Sequence, residues 1–156
     1  MTNKRALPLN NDFLRKTFCN PMHPNILIGF AKDMLDLDVE NFTLENPDYS
    51  KYKGVSALAH LKDGADVIIR VQVLKSEDLS SESEVEYYCL TELTKNFEER
   101  GAEDVSELRP TFQVNILDYR LFKSDSQHLH SFAIDHKDSS QKYAPLTTSF
   151  FEVVNK

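Results

Sequence analysis

The 156-residue sequence predicts an α/β or α+β domain built on one mixed sheet. Three observations predict it. Helical and strand periodicities follow one another in the order α-α-β-β-β-α-β-β-β. Asp63-Gly64, a hairpin turn signal, separates two apolar runs. The second run, Val67 to Leu74, is apolar except for Arg70 and Gln72 and reads as a central strand buried on both faces. Hydrophobic residues make up 40% and charged residues 28%, the balance of a soluble domain with a core, and residues 1–156 read as one domain.

The elements follow in order. Asn10 and Asn11 are capping residues ahead of Asp12-Phe13-Leu14-Arg15-Lys16-Thr17-Phe18, where Phe13, Lys16 and Thr17 fall on neighbouring turns of a short helix. Pro21 to Pro24 breaks it, and Pro24 suits the first turn of a second helix because its missing N–H would lack a partner there. Ile26, Leu27, Phe30, Ala31, Met34 and Leu35 form one apolar stripe, which places that helix over Pro24 to Leu37. Val39, Phe42 and Leu44 read as extended as far as Asn46-Pro47-Asp48, a turn signal.

Val55–Leu61 and Val67–Leu74 are the arms of the hairpin. Arg70 and Gln72 are two apart and therefore share a face. Ser83, Val85 and Glu86 resemble a capping box for a long helix with Val85, Tyr88, Cys89, Glu92, Leu93, Asn96 and Phe97 on its inner stripe. Arg100-Gly101 ends it. Thr111–Leu117 alternates as a half-buried strand, Asp118–Phe122 leads outward, and Leu129–Ile134 and Phe150–Val154 are two short strands.

Charge and composition exclude some classes. Against 18 Lys+Arg stand 25 Asp+Glu, a net charge of −7. A surface built throughout for phosphate needs the opposite sign, since nucleic-acid affinity runs on Lys and Arg displacing counterions. A local basic groove stays compatible with that balance. No apolar run approaches the roughly 18 residues of a membrane span. Met1 to Asn10 is too short and too polar for a signal-peptide core, so a cytoplasmic protein is expected. Cys19 and Cys89 sit inside apolar patterns and read as reduced core thiols.

Several segments carry a family likeness. Asn11-Asp12-Phe13-Leu14-Arg15-Lys16-Thr17-Phe18, Ile69-Arg70-Val71-Gln72-Val73, Tyr87-Tyr88, Leu108 to Leu117 and Phe151 to Lys156 occur in one order along the chain. Together they resemble the PD-(D/E)XK nuclease family transposases, the Rpn-like recombination-promoting nucleases. The second, for instance, looks like that family's Ile-Glu-Ile-Gln strand. The resemblance implies a restriction-endonuclease-like core, a mixed central sheet flanked by helices. It also implies DNA hydrolysis with Mg²⁺, which needs hard oxygen ligands, usually two carboxylates, against the scissile phosphate. The family supplies them as an Asp on the first hairpin strand and Glu-x-Gln on the second.

Transferred residue by residue, that motif is degenerate. The Asp position falls at Ala57, or at Ser56 if the register slips by one; the Glu position falls at Arg70; only Gln72 matches. A guanidinium cannot ligate Mg²⁺. The implied protein is a pseudoenzyme without a cofactor, acting as a binding or interaction module, with Arg70 paired to a Glu in the vacated metal site. The alternative is an active Mg²⁺-dependent DNA endonuclease with carboxylates relocated to Glu86 or Glu92. A small-ligand module with no DNA history is a third class. A protein partner or a homodimer fits the charge better than DNA, which only the resemblance suggests, and no membrane partner is expected.

Other constellations have bland readings beside the functional ones. Arg70 and Gln72 are either a relic site holding an anion or an internal bonded pair. Asp12 is a first-turn residue favoured by the helix dipole, or with Lys16 approaches substrate. His128 and His130 share a strand face but lack a third ligand, and His23 and His136 stand alone. Tyr87, Tyr88 and Tyr119 either stack on bases or edge the core. The stretch Ser76 to Glu84 carries four carboxylates and no base, so beside the motif strand it would repel phosphate.

Overall fold

The computed structural model describes residues 10–19, 22–45, 54–99, 109–123, 126–135 and 142–153, without the side chains of residues 96, 97 and 99. Three helices and six strands follow the expected order: α1 (Asn11–Phe18), α2 (Asn25–Leu35), β1 (Val39–Leu44), β2 (Val55–Leu61), β3 (Asp66–Leu74), α3 (Val85–Glu99), β4 (Thr111–Leu117), β5 (Leu129–Ile134) and β6 (Leu146–Glu152). One mixed sheet takes all six strands, in the order β1-β2-β3-β4-β6-β5. β1, β2 and β3 are antiparallel neighbours. β4 runs parallel to both β3 and β6, and β5 pairs antiparallel to β6 at the edge. Two parallel neighbours need a crossover, and α3 is the crossover between β3 and β4.

The pleat sorts residues onto two faces. Ala57, Ile69, Val71 and Val114 face one side and form a core with Leu14 and Phe18 of α1 and Leu27 and Ala31 of α2. Each fully buried Leu or Ile here contributes about 1.5–3 kcal/mol. The opposite side packs Leu74, Leu117 and Phe150 against Val85 and Cys89 of α3 and against Leu79, Leu121 and Phe122. The described residues hold no helix long and apolar enough to cross a membrane.

The hairpin forms as its turn residues require. Leu61 N–H donates to the Ala65 carbonyl at 2.9 Å, leaving a loop of Lys62, Asp63 and Gly64 in which Gly64 takes φ +92°. Asp63 Oδ1 accepts from Ala65 N–H at 2.9 Å. Gly54, just ahead of β2, is required by close approach: a Cβ there would lie 2.0 Å from the Val71 carbonyl oxygen.

Local details depart from the sequence expectations. Asn10 caps α1 by accepting from Phe13 N–H at 2.8 Å, but the buried residues are Leu14 and Phe18, while Phe13 stays exposed. α2 stops at Leu35, short of Leu37, because Asp36 turns left-handed at φ 53°. Leu37 N–H then reaches back to the Ala31 carbonyl at 3.3 Å, which closes the helix end. A short 3₁₀ turn, Glu82–Glu84, leads into α3, and it is the Ser80 and Ser81 hydroxyls, not Ser83, that bond the carboxylate three or four residues on, at Glu84.

β4 is buried along its whole length rather than half-buried, since α3 covers its polar side. Leu121 and Phe122 fold back into the core instead of leading outward. The last strand begins at Leu146, four residues before Phe150, in parallel register with Thr111. The Asn46-Pro47-Asp48 turn, the Arg100-Gly101 stop, His136 and the terminal 154–156 lie outside the described residues, as do the side chains of Asn96 and Phe97.

Candidate functional site

Arg70 and Gln72 project from the α3 face of β3, on one side as their spacing predicts. The register decides which hairpin residue joins them. Ser56 pairs with Arg70, whereas Ala57 pairs with Ile69 and is buried with it in the core under α1 and α2. The structure therefore brings Ser56, Arg70 and Gln72 to one face and leaves Ala57 on the other. Arg70 Nε donates to Ser56 Oγ at 3.4 Å, and Ser56 Oγ donates to Glu45 Oε1 at 2.7 Å. The carboxylate reached through Ser56 is thus Glu45, just past β1.

Gln72 belongs to a second network. Its Nε2 donates to Tyr88 Oη and to Asn115 Oδ1, both at 2.8 Å. Tyr88 Oη donates to Asn115 Oδ1 at 3.0 Å. Asn115, fully buried, gives its own Nδ2 to Thr148 Oγ1 at 2.9 Å and to the Ser149 carbonyl at 3.1 Å. A carbonyl can only accept, so Ser149 fixes the orientation of the Asn115 amide. That orientation makes Gln72 present its NH₂ inward and leaves its oxygen as the end turned from the network. Gln113 Nε2 extends the chain to Glu92 Oε1 at 3.3 Å.

Buried polar groups need such partners, because each one left unpaired costs about 1–3 kcal/mol. Asn115, Gln113, Thr148 and Ser149 are residues that sequence reasoning missed. Their signal was present in the polar alternation of Thr111, Gln113 and Asn115, the parity of Arg70 and Gln72 in the β3–β4 register.

The remaining candidates are dispersed. Glu86 is exposed on α3, and Glu92 is half-buried over the sheet. Asp12 and Lys16 are exposed on α1, while Asn11 Oδ1 accepts from Val73 N–H at 3.0 Å and ties α1 to the end of β3. His130 stacks on Phe122 with ring centroids 4.0 Å apart and its Nε2 lies 3.8 Å from Glu152 Oε1, while His128 Nδ1 bonds the Glu152 carbonyl at 2.8 Å, so both histidines make structural contacts around Glu152. Tyr119 donates its hydroxyl to the Leu79 carbonyl. Cys19 and Cys89 are free thiols, and burial together with the Glu92 charge pushes Cys89 up to about 11.

A cavity of about 700 Å³ opens between the start of α1, the end of β3, the loop after it and α3. Gln72 and Tyr88 line it, as do Glu77, Asp78 and Glu84 from the segment between β3 and α3. Hydrogen bonds from Ser80 and Ser81 hold the Glu84 carboxyl below the usual carboxylate range. Among the described residues, no group of three or more His, Cys, Asp or Glu side chains converges as a metal site. The side chains of Ser56, Arg70 and Gln72 are a hydroxyl, a guanidinium and an amide, and the carboxylate beside them, Glu45, accepts from the Ser56 hydroxyl, so this set does not fit Mg²⁺, which needs hard oxygen ligands.

No protein-family model, no curated protein and no solved structure matches the chain.

Proposed function

We propose that this chain is a non-catalytic domain of PD-(D/E)XK nuclease-like architecture that acts as a protein-binding module. The segment likeness supports this reading, and so does the element order α2-β1-β2-β3-α3-β4, with a hairpin ahead of a helical crossover to a parallel strand. The observation that carries it is the chemistry of one sheet face. Ser56, Arg70 and Gln72 stand together there, where a metal-dependent nuclease of this kind needs its carboxylates. The loop leading from that strand adds Glu77, Asp78, Glu82 and Glu84, all exposed, which repel a phosphate backbone.

Metal binding tests the reading. Titration of Mn²⁺ followed by electron paramagnetic resonance is expected to show no site in the wild type. Ser56→Asp with Arg70→Glu places two carboxylates on one face and is expected to gain a Mn²⁺ site. Ala57→Asp with Arg70→Glu puts them on opposite faces and is expected to gain none. A wild-type Mn²⁺ site abolished by Glu92→Ala overturns the reading in favour of a relocated metal centre. Glu92 is the sharper of the two candidates for that alternative because it already reaches the Gln113–Tyr88–Gln72 network.

A further inference from the structure

We propose that strand β5 is a dimerisation edge, at which a second copy of this chain pairs antiparallel about a two-fold axis through Ser131. None of the motif residues lies on this strand, so the dimer and the non-catalytic reading stand or fall separately. β5 ends the sheet, with β6 as its one strand neighbour among the described residues. Two bonds fix which way its backbone groups point. Glu152 N–H donates to the His128 carbonyl at 2.8 Å, and Val153 N–H donates to the Leu117 carbonyl at 2.9 Å. Even-numbered residues of β6 therefore face β5, and odd-numbered ones face β4. The register runs unbroken from Leu129 opposite Phe151 to Ile134 opposite Leu146, so His130, Phe132 and Ile134 turn their N–H and C=O groups to β6. Leu129, Ser131 and Ala133 turn theirs away from the sheet. Ser131 and Ala133 are exposed, which leaves this outer row accessible.

The two ends of the sheet are built differently. β1 breaks its register between Val39 and Asn41 and carries an exposed Glu40, a bulge and a charge of the kind that keep an edge from pairing. β5 has no register break, no proline and no Asp, Glu, Lys or Arg from Leu129 to Ile134. Such an edge is a template for another strand, and a second copy fits it. A two-fold through Ser131 sets Ser131 opposite Ser131 of the second copy and Leu129 opposite Ala133 of the second copy. These are the residues whose backbone groups point outward, so each N–H meets a C=O across the axis. Opposed residues share parity, so the pleats of the two sheets continue into each other. The side chains agree. His130 and Phe132 stand on the α3 face, where both stack on Phe122, and the axis puts His130 of one copy opposite Phe132 of the other. Phe132, 38% exposed in the single chain, is thereby covered. The nearest charge, Asp135, falls opposite Gln127 of the second copy rather than opposite another carboxylate. A foreign strand would have to bring this spacing with it, whereas a second copy carries it already.

Analytical ultracentrifugation of the full chain over a concentration series tests this. The wild type is expected to be a dimer that dissociates on dilution. Ser131→Lys sets two ammonium groups opposite each other at the axis and is expected to weaken association about ten-fold, and Ser131→Glu does the same with two carboxylates. An equimolar mixture of the two variants brings opposite charges together and is expected to recover a heterodimer. Ala133→Pro removes only an N–H that points outward, which an edge strand tolerates, and is expected to weaken the dimer about ten-fold while the far-ultraviolet circular dichroism stays that of the wild type. Thr43→Lys, exposed on the β1 edge, is expected to leave the dimer unchanged. A further measurement needs no variant. Amide hydrogen exchange at Leu129, Ser131 and Ala133 of the wild type is expected to slow as concentration rises, while Phe132, already bonded to β6, changes far less.

A wild type that is monomeric at every concentration overturns the proposal and leaves the edge to a foreign strand. A dimer indifferent to Ser131→Lys and Ala133→Pro overturns it too, because the copies then meet elsewhere. So does equal weakening by Thr43→Lys, a mixture of the Ser131 variants that stays monomeric, or exchange at the outward amides that ignores concentration. Mn²⁺ binding or DNA cleavage by the wild type overturns the non-catalytic reading, whereas the association and exchange series overturn only the assignment of the β5 edge.

Discussion

Gln72 Nε2 donates to Asn115 Oδ1 at 2.8 Å across the parallel β3–β4 pair, and this bond joins the surface groove to the buried centre of the sheet. Asn115 is fully buried and satisfies four groups at once: Gln72, Tyr88, Thr148 and the Ser149 carbonyl. Asn115→Leu strands these partners and is expected to cost about 3 kcal/mol, whereas Tyr88→Phe removes one hydroxyl and costs about 1 kcal/mol. Urea denaturation of both variants checks the ranking. A loss from Asn115→Leu no larger than that from Tyr88→Phe would show that the network is not the anchor of this face.

Gly54 is fixed by space rather than by backbone angle. A Cβ there would overlap the Val71 carbonyl oxygen at 2.0 Å, backbone that cannot swing away, and Gly54's own carbonyl accepts from Arg15 Nε at 3.3 Å. Gly54→Ala is expected to destabilise by about 3 kcal/mol. Gly29, with open space around its Cβ position in α2, is the control: Gly29→Ala is expected to stabilise by about 0.5–1 kcal/mol. Thermal melts of the pair read both signs.

Asp63 fastens the hairpin turn to the segment ahead of β6. Its carboxylate accepts from Lys142 Nζ and from Tyr143 Oη, each at 2.7 Å. The hydrogen bonds from Lys142, Tyr143 and the Ala65 amide hold the Asp63 carboxyl well below its ordinary range. A depressed folded value gives stability that is fully present above the unfolded value, near 3.9, and is lost as pH falls toward the lower folded one. Urea midpoints measured downward from neutral pH are expected to fall less steeply below about pH 4 in Asp63→Asn than in the wild type. Parallel acid limbs would contradict that coupling.

Glu152 is a buried carboxylate with a structural duty. Its Oε2 accepts from the backbone N–H of Leu121 at 2.6 Å and of Phe122 at 3.1 Å, which pins the chain after β4 against β6. Glu152→Ala is expected to cost about 3 kcal/mol by orphaning both amides. It is also expected to speed hydrogen exchange at Leu121 and Phe122 more than at Val114.

Much of the fold is legible in the sequence because its signals are local. The α2 stripe, the Asp63-Gly64 turn and the two-residue spacing of Arg70 and Gln72 each need only a few neighbouring residues to be read. The site is less legible because it depends on register. Whether Ser56 or Ala57 stands beside Arg70 is decided by which residues pair across the hairpin, and a slip of one exchanges the faces. β4 misleads for a related reason. Thr111, Gln113 and Asn115 alternate like a solvent-facing row, but α3 comes across that row from elsewhere in the chain and gives the polar side chains buried partners. The start of α3 differs in a smaller way, since Ser80, Ser81 and Ser83 all have capping chemistry and only geometry assigns the bond to Glu84.

The most direct test of a nuclease-like domain without metal chemistry is cleavage of supercoiled plasmid, measured with the full chain in Mg²⁺ and again in Mn²⁺. The expected result is intact supercoiled DNA with the wild type and equally with Glu86→Ala and Glu92→Ala. Nicking by the wild type that disappears in Glu86→Ala or Glu92→Ala would contradict it, and would identify carboxylates on α3 as doing the work that Ser56 and Arg70 cannot.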